Sequence, residues 1–278
     1  MKILKTTLVC EGGGMRGVYT AGVLQAFMEG GFLADELVGV SAGASNGVSY
    51  VSGQLGRGCR TNVDYAGDKR YVSVQSYLRT GSVFGMDFIF GEIPEKLDPF
   101  DYDAFYASSC GFYAGATDVH TGKAVFFGKE EVTHGLEVIR ASCSMPLFSP
   151  MVEYKGGLYL DGGVADPIPI DWALENGADR LVVVLTQARG YRKKAQSMRA
   201  VYHAMYRKYP KLVQAMDLRH LKYNHTLERV ARLEQSGKAI VVAPPQKLAV
   251  DRFGKDRDKL EAAYGVGMAC GQAALEKL

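Results

Sequence analysis

The 278-residue chain contains no run approaching the ~20 consecutive apolar residues of a membrane-crossing helix, which argues against a helical integral membrane protein. Its five cysteines (Cys10, Cys59, Cys110, Cys143 and Cys270) are odd in number, widely spaced and free of any Cys-x-x-Cys pair. That pattern suggests neither a disulfide framework nor a zinc site and fits a reducing, cytoplasmic compartment. The N-terminal apolar run is broken by Lys5 and ends at Glu11, too short for a signal peptide, so no leader is expected. Internal repeats and low-complexity tracts are missing. The net charge is only +3, so no nucleic-acid partner is expected.

What is present suits one sizeable core: 47% of residues are hydrophobic and 23% charged, a balance typical of a soluble α/β enzyme. The 33 glycines exceed the usual ~7% and cluster in a few loops. Apolar runs near residues 6–10, 36–40, 111–118, 123–127, 158–160, 180–186 and 239–243 read as strands. Helical stretches alternate with them, predicting a mostly parallel sheet, and a last helix is expected over residues 255–278. Asp118 to Gly122 reads as a hairpin turn. The aromatic and glycine-rich piece from Phe84 to Gly91 is either core packing or an acyl-binding cap.

The most specific signal is Gly39-Val40-Ser41-Ala42-Gly43, a Gly-x-Ser-x-Gly turn between an apolar strand and a small-residue helix expected over residues 44–54. Glycines two residues before and after the serine permit a turn too tight for side chains and lift the hydroxyl out at a strand tip. A second loop, Glu11-Gly12-Gly13-Gly14-Met15-Arg16-Gly17, opens a helix running to about Glu29. Consecutive glycines at a helix start leave amides uncovered beside the positive end of the dipole, the architecture of an oxyanion hole. Arg16 opposes that dipole, and either braces the loop, meets an anionic head group, or is simply solvated.

The same loop matches the dinucleotide fingerprint Gly12-x-Gly14-x-x-Gly17, which makes a non-hydrolytic nucleotide-binding protein an alternative. A ribose-binding acid belongs at the end of the second strand, however, and Asp35 and Glu36 precede that strand.

Ser41 needs a base. His120, His134, His203, His220 and His225 each lie outside any glycine-framed turn after an apolar strand. Asp161 follows such a strand in Leu160-Asp161-Gly162-Gly163, as a base or as an ordinary turn aspartate. An α/β-hydrolase with a Ser-His-Asp triad is the other enzymatic alternative.

Taken in order, Gly12-Gly13-Gly14-x-Arg16-Gly17, Gly39-Val40-Ser41-Ala42-Gly43 and Asp161-Gly162-Gly163 resemble the patatin-like phospholipase family in its bacterial branch. Ala141-Ser142-Cys143-Ser144-Met145-Pro146 and Asp166-Pro167-Ile168-Pro169 add to the resemblance, which covers residues 5–190. It implies a three-layer α/β/α fold and a serine acyl-ester hydrolase acting on phospholipid, lysophospholipid or another lipid ester. It also implies Ser41 as nucleophile, Asp161 as base, the Gly12, Gly13 and Gly14 amides as oxyanion hole and Arg16 at the family's basic, substrate-binding position. No metal or organic cofactor is implied. Because a free carboxylate has a pKa near 4, the dyad requires Asp161 to be desolvated.

Residues 1–190 are expected to form the catalytic core, and residues 191–278 a basic, mainly helical region packed on it. Residues 189–211 carry Arg189, Arg192, Lys193, Lys194, Arg199, Arg207, Lys208 and Lys211 with no acid among them. Tyr202, Met205, Tyr206 and Tyr209 interleave at helical spacing. That predicts an amphipathic helix, either touching an anionic membrane surface or solvated with its aromatic stripe on the core.

Overall fold

The computed structural model describes residues 4–278. Met1 to Ile3, the first part of the segment weighed as a leader, lie outside the described residues. Among the described residues eight strands form one sheet: β1 Thr6–Cys10, β2 Glu36–Val40, β3 Gly111–Asp118, β4 Ala124–Gly128, β5 Val152–Tyr154, β6 Gly157–Asp161, β7 Arg180–Val184 and β8 Ala239–Val242. Their order is β5-β6-β3-β2-β1-β7-β8, with β4 also paired to β3. The β3, β2, β1, β7 and β8 strands run parallel, whereas β4 and β6 run antiparallel to β3 and β5 antiparallel to β6. Asp118 to Gly122 is the β3–β4 hairpin turn, held by the Asp118 carboxylate accepting the Thr121 N–H at 2.6 Å.

The central strands are buried on both faces, and the two-residue side-chain period divides them between two cores. Leu8, Cys10, Leu37, Val182 and Val184 enter one core, and Val9, Val38, Leu181 and Val183 the other. The first core is covered by α1 (Gly17–Glu29) and α2 (Ala42–Val51). Short helices α3 (Arg57–Val63), α4 (Val74–Thr80), α5 (Tyr102–Ala107) and α6 (Glu137–Cys143) follow, with a π-helical stretch over Phe88–Leu97. The opposite face is covered by α7 (Ile170–Glu175) and, after the short α8 (Arg199–Met205), by α9 (Pro210–Gln235), whose Tyr223 and Val230 join the second core. The last helix, α10 (Arg257–Leu275), returns to the first face. There it meets α1 backbone to backbone: a Cβ on Gly22 would stand 2.2 Å from the Tyr264 carbonyl oxygen, and one on Gly267 2.1 Å from that of Tyr19. The result is the three-layer α/β/α architecture, with the C-terminal region supplying a strand as well as helices.

One sequence expectation fails. Residues 189–211 are not one amphipathic helix, because the chain is irregular through Ser197 and α8 ends at Met205. Pro210 then starts α9 as a new helix, since proline lacks an N–H for the preceding turn and holds Tyr209 out of helical geometry, at φ −124° and ψ 67°. Tyr202 and Tyr206 are buried, as the aromatic-stripe alternative requires. Arg189 instead pairs with Glu234 and Arg192 with Glu228 on α9, at 2.7 Å each.

Candidate active site

Strand register brings Ser41 and Asp161 together. Tyr113 to Gly115 of β3 pair with both β2 and β4, and Ala116 and Thr117 with both β6 and β4. Each strand has two edges, so β2 and β6 must share one edge of β3, end to end and pointing at each other. Val40 is opposite Gly115 and Asp161 is opposite the next residue, Ala116. The residue after β2 is Ser41.

Ser41 sits at φ 55° and ψ −123°, a region strained for any residue with a Cβ. The flanking glycines are required by contact: a Cβ on Gly39 would lie 2.6 Å from the Ala44 nitrogen, and one on Gly43 2.3 Å from the Cys10 carbonyl oxygen. The turn is further held by Ser142, whose hydroxyl accepts the Ser41 N–H at 2.8 Å and donates to the Gly115 carbonyl at 2.6 Å. The segment after α6 also holds the opposing strand, because Ser144 and Ser142 carbonyls accept the Asp161 and Gly162 N–H groups at 2.7 and 3.3 Å.

Asp161 is buried, at 5% exposure. Burial pushes its carboxyl above the usual carboxylate range, opposed by the nearby Arg219, by the neighbouring Ser41 hydroxyl, by the Gly163 N–H and by Arg252. The Gly163 N–H donates to Oδ1 at 2.7 Å. Beside Ser41, Cys143 is half-buried, and desolvation followed by the neighbouring Asp161 raises its thiol far above the ordinary value.

The glycine loop lies against this pair, since a Cβ on Gly12 would stand 3.0 Å from the Ser41 Cβ. Gly14 adopts φ 58°, where the Arg252 backbone is too close for a side chain. The amides of Gly12, Gly13 and Gly14 donate to no acceptor among the described residues, whereas those of Glu11 and Met15 on either side bond to the carbonyls of Val184 and Arg252. Glu11 ties the loop down: its carboxylate accepts the Thr186 N–H at 2.6 Å and the Tyr223 hydroxyl at 2.7 Å.

Two pockets meet at Ser41. One is apolar, walled by Tyr71, Phe84, Met86, Ile89 and Phe90. The Phe84 to Gly91 piece therefore serves two purposes, with Phe88 in the core beside Tyr71 while Phe84, Met86 and Ile89 face the pocket. The other pocket is polar and carries Arg16, Lys193, Arg219 and Arg252. Lys193, read from sequence as part of a basic surface, instead turns inward over the Tyr223 ring, 4.4 Å from its centroid. Burial and the neighbouring Arg219 push its pKa down to about 7. Arg219, Tyr223, Arg252, Glu11 and Ser142 were given no site role from sequence; among them Glu11, an acid directly between an apolar strand and three glycines, and Ser142, within the Ala141-to-Pro146 segment, carried a usable local signal.

No histidine lines either pocket. His134 contacts Glu95, His203 contacts Asp217, and the His120 ring packs on Tyr209. Asp35 and Glu36 lie at the far end of β2 from the glycine loop, so neither is placed to bind a ribose there.

Residues 8–174 match the family described as patatin-like phospholipase, and residues 209–278 a domain of unknown function. The chain belongs to the patatin-like phospholipase family. It is 33% identical over 187 residues to the uncharacterized protein YjjU of Escherichia coli, across 66% of this chain and 52% of that protein. Over 290 residues it is 24% identical to lysophospholipase nte1 of Aspergillus oryzae, across 98% of this chain and 18% of that protein. The chain thus matches about half or less of the length of these curated relatives. Its patatin-like fold also resembles the crystal structure of VipD from Legionella pneumophila, with a TM-score of 0.53 at 12% identity over 99% of this chain and 67% of that one.

Proposed function

We propose that this patatin-like chain is a serine hydrolase of lipid acyl esters that works by a Ser-Asp dyad. The observation that carries the reading is the meeting of Ser41 and Asp161 at adjoining registers of β3, beside the unpaired amides of Gly12, Gly13 and Gly14. Asp161 takes the Ser41 proton as Oγ attacks the ester carbonyl carbon. The glycine amides stabilise the oxyanion, and the C–O bond breaks as Asp161 returns the proton to the departing alcohol. Water, activated by the same carboxylate, then releases the acid from Ser41. The acyl chain occupies the apolar pocket, and Arg16 faces the alcohol side from the polar pocket. Membership of the patatin-like phospholipase family and similarity to a lysophospholipase support the lipid ester as substrate.

Peripheral contact with an anionic membrane belongs to the same proposal, now through Lys194, Arg207, Lys208 and Lys211, which remain exposed beside exposed Val201 and Met205. Among the described residues no helix is long and apolar enough to cross a membrane. All five cysteines are free, which supports a cytoplasmic location.

The test is labelling by a fluorophosphonate together with hydrolysis of an acyl-ester series. Labelling and turnover are expected in the wild type, and neither in Ser41→Ala. A Ser41→Ala enzyme with wild-type turnover would refute the assignment.

A further inference from the structure

The polar pocket has an unusual charge balance. Arg16, Lys193, Arg219 and Arg252 share it with only two carboxylates, Glu11 and Asp161. Among the described residues none of these four cations forms an ion pair, although nearby Arg189, Arg192 and Arg199 all do. Both Glu11 oxygens are engaged by Thr186 and Tyr223, and the Arg16 Nε is buried with no hydrogen-bond partner among the described residues. Arg252 acts against the charge of Arg16, Arg219 and Lys193 alike, so without a counter-anion the cations repel one another. The cluster is nevertheless held in place. Arg219 donates to the Gly163 carbonyl, and the Lys193 backbone exchanges hydrogen bonds of 2.8 and 3.0 Å with the Asn224 side chain.

We propose that this pocket binds a phosphate monoester, so that the ester cleaved at Ser41 is an acyl ester whose alcohol portion ends in phosphate. The inference rests on the reading of Ser41 as the hydrolytic nucleophile. With Lys193 held protonated by the bound anion, four cations against two carboxylates leave two positive charges, which matches the nearly dianionic phosphate monoester at neutral pH, whose second pKa is about 6. A phosphodiester bearing choline fits poorly, because it carries one negative charge and its quaternary ammonium needs an open aromatic face. The Tyr223 face is already covered by Lys193, and the pocket's other aromatic ring, Phe148, packs on Phe253 with ring centroids 5.0 Å apart. Forked guanidinium donors suit phosphate oxygens. Two of the three guanidinium groups, Arg219 and Arg252, come from the 209–278 region matched to a domain of unknown function. In this chain that region therefore provides the head-group wall of the pocket, while the patatin-like part provides the dyad.

The test is calorimetric titration of full-length Ser41→Ala, which cannot turn ligand over, with dodecyl phosphate, dodecylphosphocholine and inorganic phosphate below micelle-forming concentrations. Dodecyl phosphate is expected to bind at least about tenfold tighter than dodecylphosphocholine, since charge-assisted bonds to a second negative charge add to its affinity. Arg252→Gln added to this background is expected to erase the preference. Arg219→Gln should do the same, but it also removes a backbone contact, so Arg252→Gln is the cleaner variant. Equal affinities, or a preference that survives Arg252→Gln, would overturn the phosphate site. Inorganic phosphate competing as well as dodecyl phosphate would assign the pocket to the free anion and overturn the lipid assignment. A retained preference beside a wild type that cleaves no ester, neutral or phosphorylated, would keep the site and overturn the hydrolase reading alone.

Discussion

The Ser142 hydroxyl bridges the Ser41 amide, at 2.8 Å, and the Gly115 carbonyl, at 2.6 Å, and so couples the strained turn to the strand that also sets the position of Asp161. Ser142 is fully buried and does not line the pocket, which makes it a positioning residue.

Ser142→Ala leaves a buried donor and a buried acceptor unpaired, a loss of about 1–3 kcal/mol for each group left unsatisfied. Turnover is expected to fall with little change in KM, because the turn carrying Ser41 loses its brace. Denaturant unfolding and steady-state kinetics check both effects. Unchanged kcat would limit Ser142 to a role in stability.

Asp161 gives a pH dependence with a definite sign. Its folded pKa is raised by burial, and as a base it must be ionised, so kcat/KM is expected to rise with pH along a limb centred above the ordinary carboxylate value of 3.8. Stability runs the opposite way: the contribution of the neutral carboxyl is complete below 3.8 and is lost as pH rises through the raised folded value. Asp161→Asn should therefore be inactive yet gain stability relative to wild type as the pH is raised. An activity limb at or below the ordinary carboxylate value would refute the assigned base.

The glycine loop is tested by Gly13→Val. A Cβ there would come within 2.9 Å of the Thr186 hydroxyl and push the loop amides out of line. Loss of one oxyanion donor lowers kcat roughly 100- to 1000-fold, with KM changing far less. A rise in KM alone would make the loop a substrate-binding element.

Ile89 is only half-buried and faces the apolar pocket, so Ile89→Trp should fill that pocket without breaking the core. The ratio of kcat/KM for long-chain over short-chain esters is expected to fall several-fold or more, as each buried methylene is worth about 0.8 kcal/mol. An unchanged chain-length profile would move the acyl chain elsewhere.

The local chemistry of the site was legible in the sequence wherever it depended on backbone space. Gly39 and Gly43 are glycines because the Ala44 nitrogen and the Cys10 carbonyl occupy the room a Cβ needs, and Gly14 because its φ is positive. Such demands act within a few residues and leave a readable motif. The alternation of apolar strands and helices was readable for the same reason, since each central strand must be apolar on both faces wherever its neighbours lie. The basic stretch misled because charge composition does not carry direction. Arg189 and Arg192 find acids on a helix more than thirty residues away, and Lys193 turns inward between them and Lys194.

By itself, then, the sequence determined the turn around Ser41, the glycine loop, the layered class of the fold and the patatin-like family. The tertiary structure alone decided that β2 and β6 abut on one edge of β3, which brings residues 41 and 161 into one site across 119 intervening positions. It alone also decided that Arg219 and Arg252 complete a pocket begun by Arg16. The reason is that register, and the docking of α9 and α10, depend on the sum of many weak packing contacts spread along the chain. No single short segment encodes that sum.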